Sequence, residues 1–494
     1  MPIDRLSALD RFMLRVSRTW PQDIGALAIL DGAPLTDLTG RFRLEAVRAA
    51  IDARLHLVPR FRQVIVVPGR GYGPPFWADA RGFDLAAHVH ELPLEPPVGV
   101  AELLAAVEQL RRQPLEPSRP MWQMWFLTGL PDGRVAWFVK LHHTIGDGMA
   151  AMTTIAALLD SEPHAPPVTA PARRRARRPP PSELVADNLR RRIEGLAGLV
   201  RTLARPRNGV RQALAAWPAV RELLAERPAT KTSLDRIIGL DRNLAVIRVS
   251  LGAVRSVGRS HGATVNDVLL AATAAGLRAL LQRRGEPVDD TTIRVYVPVS
   301  LRRRLRGAQQ GNLIAQMAVP LHLGGAEPAR RLRRIAAETA RRKARVRTSL
   351  DALMHGGAIG RRLMLALVMR QRVNVTTTSI PGPKRPLFLA GAGVLDVVPI
   401  LPLVANEPLG VGALSYAGHL GIGIAGDLEV IPDLEVFTGA VRDELTALGV
   451  PVLPFPGAAA AGTDVEIVAS IRTRSLLPTR RPDFSVRAPS SATR

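Results

Sequence analysis

The 494-residue chain contains no cysteine. Disulfide bonds, a thiolate nucleophile and cysteine-based metal clusters are therefore excluded as sources of stability or chemistry, and the composition is compatible with a reducing compartment. The chain is also too long for a small disulfide-stabilised module. Its length predicts two substantial domains.

The sequence lacks a long uninterrupted apolar run. Residues 1–15 are charged throughout and have no apolar segment followed by a small-residue cleavage site, so we predict no secretory signal and a cytoplasmic location. The least charged stretch, residues 387–405, contains Asp396, Pro399 and Pro402, which disfavour a membrane-spanning helix. Any contact with a membrane is then expected to be peripheral.

Acidic residues and lysine are scarce beside arginine. Lys and Arg total 67 against 43 Asp and Glu, a formal net charge of +24, and lysine occurs only at positions 140, 231, 343 and 384. A surface of this charge attracts anions such as phosphorylated co-substrates, anionic lipids or nucleic acid. Hydrophobic residues make up 47% of the chain, which indicates a folded globular protein despite its 41 Gly and 41 Pro.

Composition divides the chain into four segments. Residues 1–160 alternate short apolar runs with helical patterns, which predicts an N-terminal α/β domain. Residues 161–240 begin with a basic proline-rich linker and continue with amphipathic helices, and residues 241–450 predict a second α/β domain. Residues 451–494 turn rich in Ala and Gly and then basic, which predicts a largely disordered tail.

The amphipathic pattern after the linker has three interpretations. Ser182 is predicted as an N-cap, and apolar residues follow it at the spacing of one helix face. They are Val185, Leu189, Ile193, Leu196, Val200 and Leu203, with arginines at positions 190–192 and 201 beside them. The helix would pack on the core, lie on an anionic membrane, or bind nucleic acid. Nucleic acid is not expected as a partner, because stacking aromatics and a reader motif are lacking.

Residues 142–148, with the sequence HHTIGDG, carry the clearest chemical signal. They follow an apolar strand pattern and precede a helical one. Because successive side chains on a strand point to opposite faces, His142 and His143 cannot normally serve one site together. One is predicted to act chemically and the other structurally, with Asp147 fixing the glycine-flanked turn. A neutral histidine at a strand end can accept a proton from a hydroxyl near pH 7, which predicts a general base.

Other interpretations of this segment are a pair of structural histidines, a metal site and a serine hydrolase. No metal is predicted, because adjacent strand histidines diverge and no further cluster of His and Glu accompanies them. Residues 258–262 match G-x-S-x-G, but they lie between two helical patterns rather than at a strand-to-helix turn. Gly421, Gly423 and Gly426 spell G-x-G-x-x-G within a strand pattern, so a dinucleotide fold is not predicted.

The ordered set of motifs resembles the bacterial wax ester synthase/diacylglycerol acyltransferase family of CoA-dependent acyltransferases. The similarity runs through LSALDRFML, VPRFRQ, the HHxxxDG segment, ATVNDVLLAAT, SIPGPKRPLFLAGA and SYAGHLGIGIAGDLEVIPD. It implies a two-domain α/β fold like that of chloramphenicol acetyltransferase, with a channel between the domains. Long-chain acyl-CoA would be the co-substrate, with no further cofactor. Diacylglycerol or a fatty alcohol would accept the acyl group at an anionic membrane or lipid-droplet surface.

The resemblance also implies roles for particular residues. His143 would be the general base, Asp147 would maintain its geometry and His142 would support it, with direct attack of the alcohol and no acyl-enzyme. Residues implied for substrate binding or the channel are Gly148, Asn266, Pro120, Trp122, Thr378 and Ser379. Thr378 and Ser379 stand where the family usually has Ser-Asn, so this chain keeps the hydroxyls and lacks the amide.

Two other functions are open on the sequence alone. A condensation-type enzyme would take its acyl group from a carrier-protein thioester. A weakly active paralogue would instead bind lipid or membrane through residues 182–227 and its basic tail. The sequence does not define the acceptor, the acyl length or the oligomeric state.

Overall fold

The computed structural model describes residues 3–166, 168, 178–204, 229–300, 314–345 and 373–456. The predictions for the centre of the proline-rich linker, for residues 205–227 and for the tail from residue 457 lie outside these ranges. The helices are α1 (Ala8–Val16), α2 (Leu44–Arg54), α3 (Val100–Arg112), α4 (Gly148–Ala156), α5 (Pro181–Ala204), α6 (Leu251–Ser260), α7 (Val265–Arg283), α8 (Pro328–Arg345) and α9 (Leu434–Ala447).

The strands are interspersed with these helices along the chain. They are β1 (Asp23–Leu30), β2 (Gln63–Val66), β3 (Phe76–Asp79), β4 (Val89–Pro93), β5 (Trp122–Thr128), β6 (Val135–His142), β7 (Arg242–Ser250), β8 (Thr292–Ser300), β9 (Ile314–His322), β10 (Val375–Pro381), β11 (Phe388–Leu389), β12 (Ala392–Ile400), β13 (Leu409–Tyr416), β14 (His419–Asp427) and β15 (Val452–Leu453). Strands β10 to β14 follow one another without an α-helix between them.

The first large sheet has six strands in the order β11-β12-β1-β6-β5-β4. Its central strand β6, VAWFVKLH, is buried along its whole length, as expected for a strand covered on both faces. Antiparallel neighbours flank it, so that Asp23 of β1 lies opposite His142 and Trp122 of β5 lies opposite Leu141. The C-terminal end of β6 is therefore held from both sides.

The second large sheet has seven strands in the order β15-β7-β14-β13-β10-β8-β9. Helices α7 and α9 pack over one face of it and enclose a large apolar core. Helix α7 begins with a capping box, in which Thr264 and Asp267 bond reciprocally to each other's backbone N–H. Asp267 therefore caps the start of α7, and Thr339 Oγ1 also donates to its carboxylate at 2.6 Å.

Strands from the second half of the chain complete the first sheet. Strand β12 pairs antiparallel with β1, and β11 pairs with β12 at the sheet edge. The same strand passes close to the second sheet, where a Cβ atom added to Gly423 of β14 would lie 1.9 Å from the Pro399 carbonyl oxygen. The glycines of the apparent G-x-G-x-x-G pattern thus allow two strands to approach. The boundaries at residues 160, 240 and 450 stay predictions, and this exchange of strands was not among them.

Helix α5 differs from its sequence-based description in two respects. It begins at Pro181, so Ser182 is its second residue and the N-cap prediction is wrong. Proline favours the first helical position because its missing N–H would have no partner there. Packing of the apolar stripe on the core is also wrong, because the exposed fractions of its side chains rise from 49% at Val185 to 62% at Val200.

Among the helices that the structure describes, none is by itself long and apolar enough to cross a bilayer. Helices α6 and α7 reach that length and composition only as a pair, and they are bent by 91° relative to each other.

Candidate active site

The two adjacent histidines are held in place by their backbone. The His142 N–H donates to the Met121 carbonyl at 2.9 Å, and the His143 N–H donates to the Gln22 carbonyl at 2.8 Å. These acceptors belong to segments just before β5 and β1, on either side of β6. Sheet pairing therefore fixes the point at which the chain leaves the sheet and enters the turn.

The imidazole of His142 is a buried structural group. Its exposed fraction is 2%, and its ring nitrogens lie 2.8 Å from Ser17 Oγ and 2.8 Å from Thr144 Oγ1. The Thr144 N–H donates to Nδ1 at 3.1 Å, so Nε2 carries the ring proton and donates it to Ser17. Burial, with a smaller contribution from His143, lowers the pKa of His142 to about 3. This ring is neutral throughout the physiological range.

His143 has a different environment although it is the next residue. It is the first residue of the turn after β6, and its side chain is only half-buried. The structure thus separates the pair into one enclosed and one accessible ring, as the alternation of strand side chains predicted. The role of His143 as a base stays a prediction at this point.

Asp147 fixes the turn that follows. Its side chain is 1% exposed, and its Oδ1 accepts the Ala150 N–H at 2.9 Å, which makes it the N-cap of α4. Its carbonyl accepts the Ala151 N–H at 2.7 Å. A capping carboxylate satisfies backbone donors that would otherwise be unpaired at the start of a helix. Asp147 therefore determines how the helix after the histidines leaves the turn.

Gly148 brings this helix against strand β10 of the second sheet. A Cβ atom at Gly148 would lie 2.8 Å from Cδ1 of Ile380, so a larger residue would require the Ile380 side chain to shift. Side chains alternate along β10, so Thr378 lies on the face of Ile380, whereas Ser379 lies on the opposite face with its register partner Ala413. Only Thr378 of the two predicted hydroxyl residues lies on the face that meets the turn.

Asn266 occupies the second position of α7. Its Nδ2 atom is buried and has no hydrogen-bond partner in the described residues. Burying an amide donor without a partner costs about 1–3 kcal/mol. A bound molecule that accepts this hydrogen bond would therefore remove that cost. The polar role predicted for Asn266 stays a prediction, and the unpaired donor is compatible with it.

Pro120 and Trp122 lie just before and at the start of β5, the strand that pairs with β6 next to His142. Trp122 is fully buried, stacks between Phe61 and His88 with ring centroids 4.5 Å apart in each pair, and donates its indole N–H to the Phe61 carbonyl at 2.8 Å. Pro120 is buried, and its carbonyl accepts the Trp122 N–H at 2.8 Å. These contacts are packing contacts that support the sheet, and a role for either residue in a channel stays a prediction.

Several contributors to the site were not predicted. Ser17 lies 125 residues before His142, so only the folded chain brings them together. The same holds for Gln22, just before β1, and for Ile380 of β10, which both contact the turn. Thr144 had a local signal, because threonine side chains often bond to neighbouring residues in turns. In the described part of the chain, no group of three or more His, Asp and Glu residues is placed to hold a metal ion.

Comparison with protein families gives two matches that together cover most of the chain. Residues 6–269 match the wax ester synthase/diacylglycerol acyltransferase catalytic domain, and residues 310–449 match the C-terminal domain of the same family. The chain is also 31% identical over 470 residues to the Mycobacterium tuberculosis protein named "Probable diacyglycerol O-acyltransferase tgs1". That alignment covers 90% of this chain and 96% of the relative.

Solved structures with the same fold come from two enzyme types. The wax ester synthase/diacylglycerol acyltransferase from Marinobacter aquaeolei VT8 superposes with a TM-score of 0.63 at 23% identity, covering 90% of this chain and 98% of that one. The starter condensation domain of rhizomide synthetase superposes with a TM-score of 0.59 at 14% identity, covering 90% and 94%. The predicted two-domain α/β fold of the chloramphenicol acetyltransferase type is confirmed.

Proposed function

The chain belongs to the wax ester synthase/diacylglycerol acyltransferase family and is an acyltransferase, and we propose that it transfers a long-chain acyl group from acyl-CoA to a lipid hydroxyl. The acceptor is diacylglycerol, a long-chain alcohol, or both. The observation that carries this proposal is the separation of two adjacent histidines into a buried neutral ring and an accessible one beside a capped turn. That arrangement suits one base acting on a hydroxyl.

In the proposed reaction His143 removes the proton of the acceptor hydroxyl. The oxygen attacks the thioester carbonyl carbon, a C–O bond forms, and the C–S bond breaks. The imidazolium then returns its proton to the departing CoA thiolate, so no charge is left on the enzyme. The absence of cysteine from the chain excludes an acyl-cysteine intermediate, and direct attack requires no covalent intermediate.

The surrounding residues have supporting roles in this proposal. The bonds of His142 to Ser17 and Thr144 hold the strand end, and Asp147 holds the turn. Asn266 contributes its buried, unpaired amide donor to a bound substrate. Preorganised donors of this kind stabilise developing negative charge better than mobile ones, because they need no reorientation during the reaction.

Replacement of His143 by Ala tests the base. We expect the rate of transfer from palmitoyl-CoA to dioleoylglycerol and to hexadecanol to fall about 100- to 10,000-fold, the range typical of a lost general base. His164→Ala changes an exposed histidine and is the matched control. Retention of full activity by a folded His143→Ala enzyme would reject the assignment. Exclusive use of a palmitoyl carrier protein as donor would instead favour the condensation-type alternative.

We further propose that α5 holds the enzyme at an anionic lipid surface, such as a membrane or a lipid droplet. Its exposed apolar stripe comprises Val185, Leu189, Ile193, Leu196 and Val200. The helix is fastened to the body of the protein near its N-terminus, where Arg5 Nε lies 2.9 Å from Asp187. Arg190 and Arg191 lie beside the stripe, half to two-thirds exposed. An apolar face flanked by arginines suits the boundary between lipid headgroups and chains.

Vesicle flotation tests this surface. Combined replacement of Leu189, Ile193 and Leu196 by Ser is expected to reduce binding to vesicles containing phosphatidylglycerol about tenfold or more, because each side chain contributes apolar area to the bilayer. Leu38, Leu57 and Ile237 are exposed apolar residues elsewhere in the chain, and their combined replacement by Ser is the control. Equal loss of binding in both variants would contradict a specific role for α5.

A further inference from the structure

A polar cluster lies on the face of the second sheet that is turned toward the first. Every second side chain of β10 lies on this face, from Thr376 through Thr378 to Ile380. The register partners of Thr376 are Tyr296 of β8 and Gly410 of β13. A Cβ atom at Gly410 would lie 2.9 Å from the side chain of Leu403, in the segment that follows β12. This face, with Tyr296 and Thr376 on it, therefore meets the segment that follows β12.

The Tyr296 hydroxyl in this cluster is buried and forms no hydrogen bond with the described residues. The residue is 7% exposed, and its hydroxyl oxygen has no partner anywhere in residues 3–456 that the structure describes. A tyrosine hydroxyl normally finds a partner when it is buried, because leaving it unpaired costs free energy. An apolar phenylalanine would fill the same space at no such cost. The hydroxyl therefore indicates a partner that binds and leaves.

Glu407 supplies the second polar group. It lies in the segment between β12 and β13 and accepts a hydrogen bond from the Thr376 hydroxyl. Removal of its carboxyl group from water raises the pKa of Glu407 to about 7. Burial, together with the nearby Glu407, also raises the pKa of Tyr296. The cluster thus presents a phenol donor beside a carboxyl group that is uncharged for much of the time, which suits an uncharged ligand.

The cluster is connected to the candidate active site through β10. Thr376 is four residues before Ile380, which meets Gly148 at the start of α4. At about 3.3 Å per residue, the cluster lies roughly 13 Å from that contact along the strand. A long substrate whose reacting atom lies at the turn would therefore have a hydrogen-bonding group of the protein beside its middle part.

We propose that Tyr296 and Glu407 form a subsite that binds an uncharged carbonyl group of a substrate whose reacting end lies at the turn. The Tyr296 hydroxyl donates to the carbonyl oxygen, and Glu407 accepts an adjacent N–H or O–H where the substrate has one. This inference rests on the proposed function. Two substrates carry such a carbonyl: acyl-CoA, in the amides of its pantetheine arm, and diacylglycerol, in its esters.

Tyr296→Phe tests the subsite, because it removes the hydroxyl and keeps the ring. KM is measured for palmitoyl-CoA, for dioleoylglycerol and for hexadecanol, which has no ester. We expect one KM to rise about tenfold with kcat changed less than twofold, as for loss of a uniform binding contact. A rise for palmitoyl-CoA with either acceptor identifies the amide, whereas a rise for dioleoylglycerol alone identifies the ester. Unchanged KM values for all three substrates would overturn the proposal.

Tyr416→Phe is the matched control. The Tyr416 hydroxyl is used within the fold, because it accepts the Leu387 N–H at 2.6 Å. Its loss is expected to lower Tm and leave KM unchanged, whereas Tyr296→Phe should leave Tm unchanged or raise it. If the subsite binds the amide, Glu407→Leu should raise the same KM as Tyr296→Phe, and a rise in a different KM would contradict a shared subsite. Failure of the proposed function would appear separately, as absence of acyl transfer by the unmodified enzyme.

Discussion

Two buried polar clusters in this protein differ in whether their hydrogen bonds are complete. Around His142, both ring nitrogens have partners in Ser17 and Thr144. Around Tyr296, the hydroxyl has none among the described residues, although it is buried to a similar degree. A complete cluster stabilises one conformation of the backbone, whereas an incomplete one keeps a donor for a ligand. The two clusters therefore predict opposite consequences of mutation.

His142→Ala should have the largest effect on stability. The change leaves a cavity in the first sheet and removes the partner of both Ser17 and the Thr144 N–H. We expect the free energy of unfolding to fall by about 4 kcal/mol, from lost packing and from buried groups left unpaired. Urea denaturation measures the change.

His143→Ala is the natural comparison for this variant, because the half-buried neighbour should cost little stability and most of the activity. A reversed outcome, with His142→Ala stable and His143→Ala unfolded, would contradict the division of the pair into a structural and a chemical ring.

The division itself was predictable from sequence, and its structural basis was not. Alternation of side chains at a strand end separates His142 from His143 without any tertiary information. The identity of the buried member depends on Ser17, which is distant in sequence and carries no motif. The family resemblance implies that His143 is the base, and the structure places that ring in the half-buried position, but no local pattern indicates which ring finds a partner.

The same limit applies to the fold. The apolar run of residues 135–142 predicts a strand directly, and the helical pattern that follows Thr264 predicts a helix. Strand β12 comes from the second half of the chain, yet it pairs with β1. Glycines in β14 allow that approach, although in sequence they resemble a nucleotide-binding pattern. The exposed stripe of α5 has the periodicity of a core helix, because an interface with lipid and an interface with protein select the same residues.

Ser17→Ala should cause the second largest loss of stability. The Ser17 hydroxyl accepts both the Nε2–H of His142 and the Gln22 N–H, at 2.8 and 3.1 Å. Loss of a shared buried acceptor is expected to cost about 2 kcal/mol. Gln22 also holds the backbone of His143, so kcat should fall severalfold while KM stays within twofold.

Ser260→Ala removes an exposed serine hydroxyl that bonds locally to the Val257 carbonyl, and it serves as the control for Ser17→Ala. If Ser17→Ala were as stable as this control, the His142 cluster would not be the rigid support that the comparison requires.

Glu407→Gln should have almost no effect on stability at acidic pH and a stabilising effect that grows as the pH rises. Because burial raises the pKa of Glu407 to about 7 from a reference of 4.5, the folded state binds a proton more readily than the unfolded state. Its contribution to stability is complete below the reference value and is lost as the pH rises through about 7. Glutamine carries no charge at any pH. Relative to the unmodified protein, Glu407→Gln should therefore gain up to about 3 kcal/mol between about pH 4 and pH 8, since each unit of difference between the two pKa values corresponds to about 1.4 kcal/mol. Glu162→Gln, at an exposed position, is the control for the loss of one carboxylate. The contradicting outcome is a difference in unfolding free energy between Glu407→Gln and the unmodified protein that is the same at both pH values. It would mean that the Glu407 carboxyl group is as well solvated in the folded protein as in water. The incomplete cluster would then have no uncharged carboxyl group to offer a ligand.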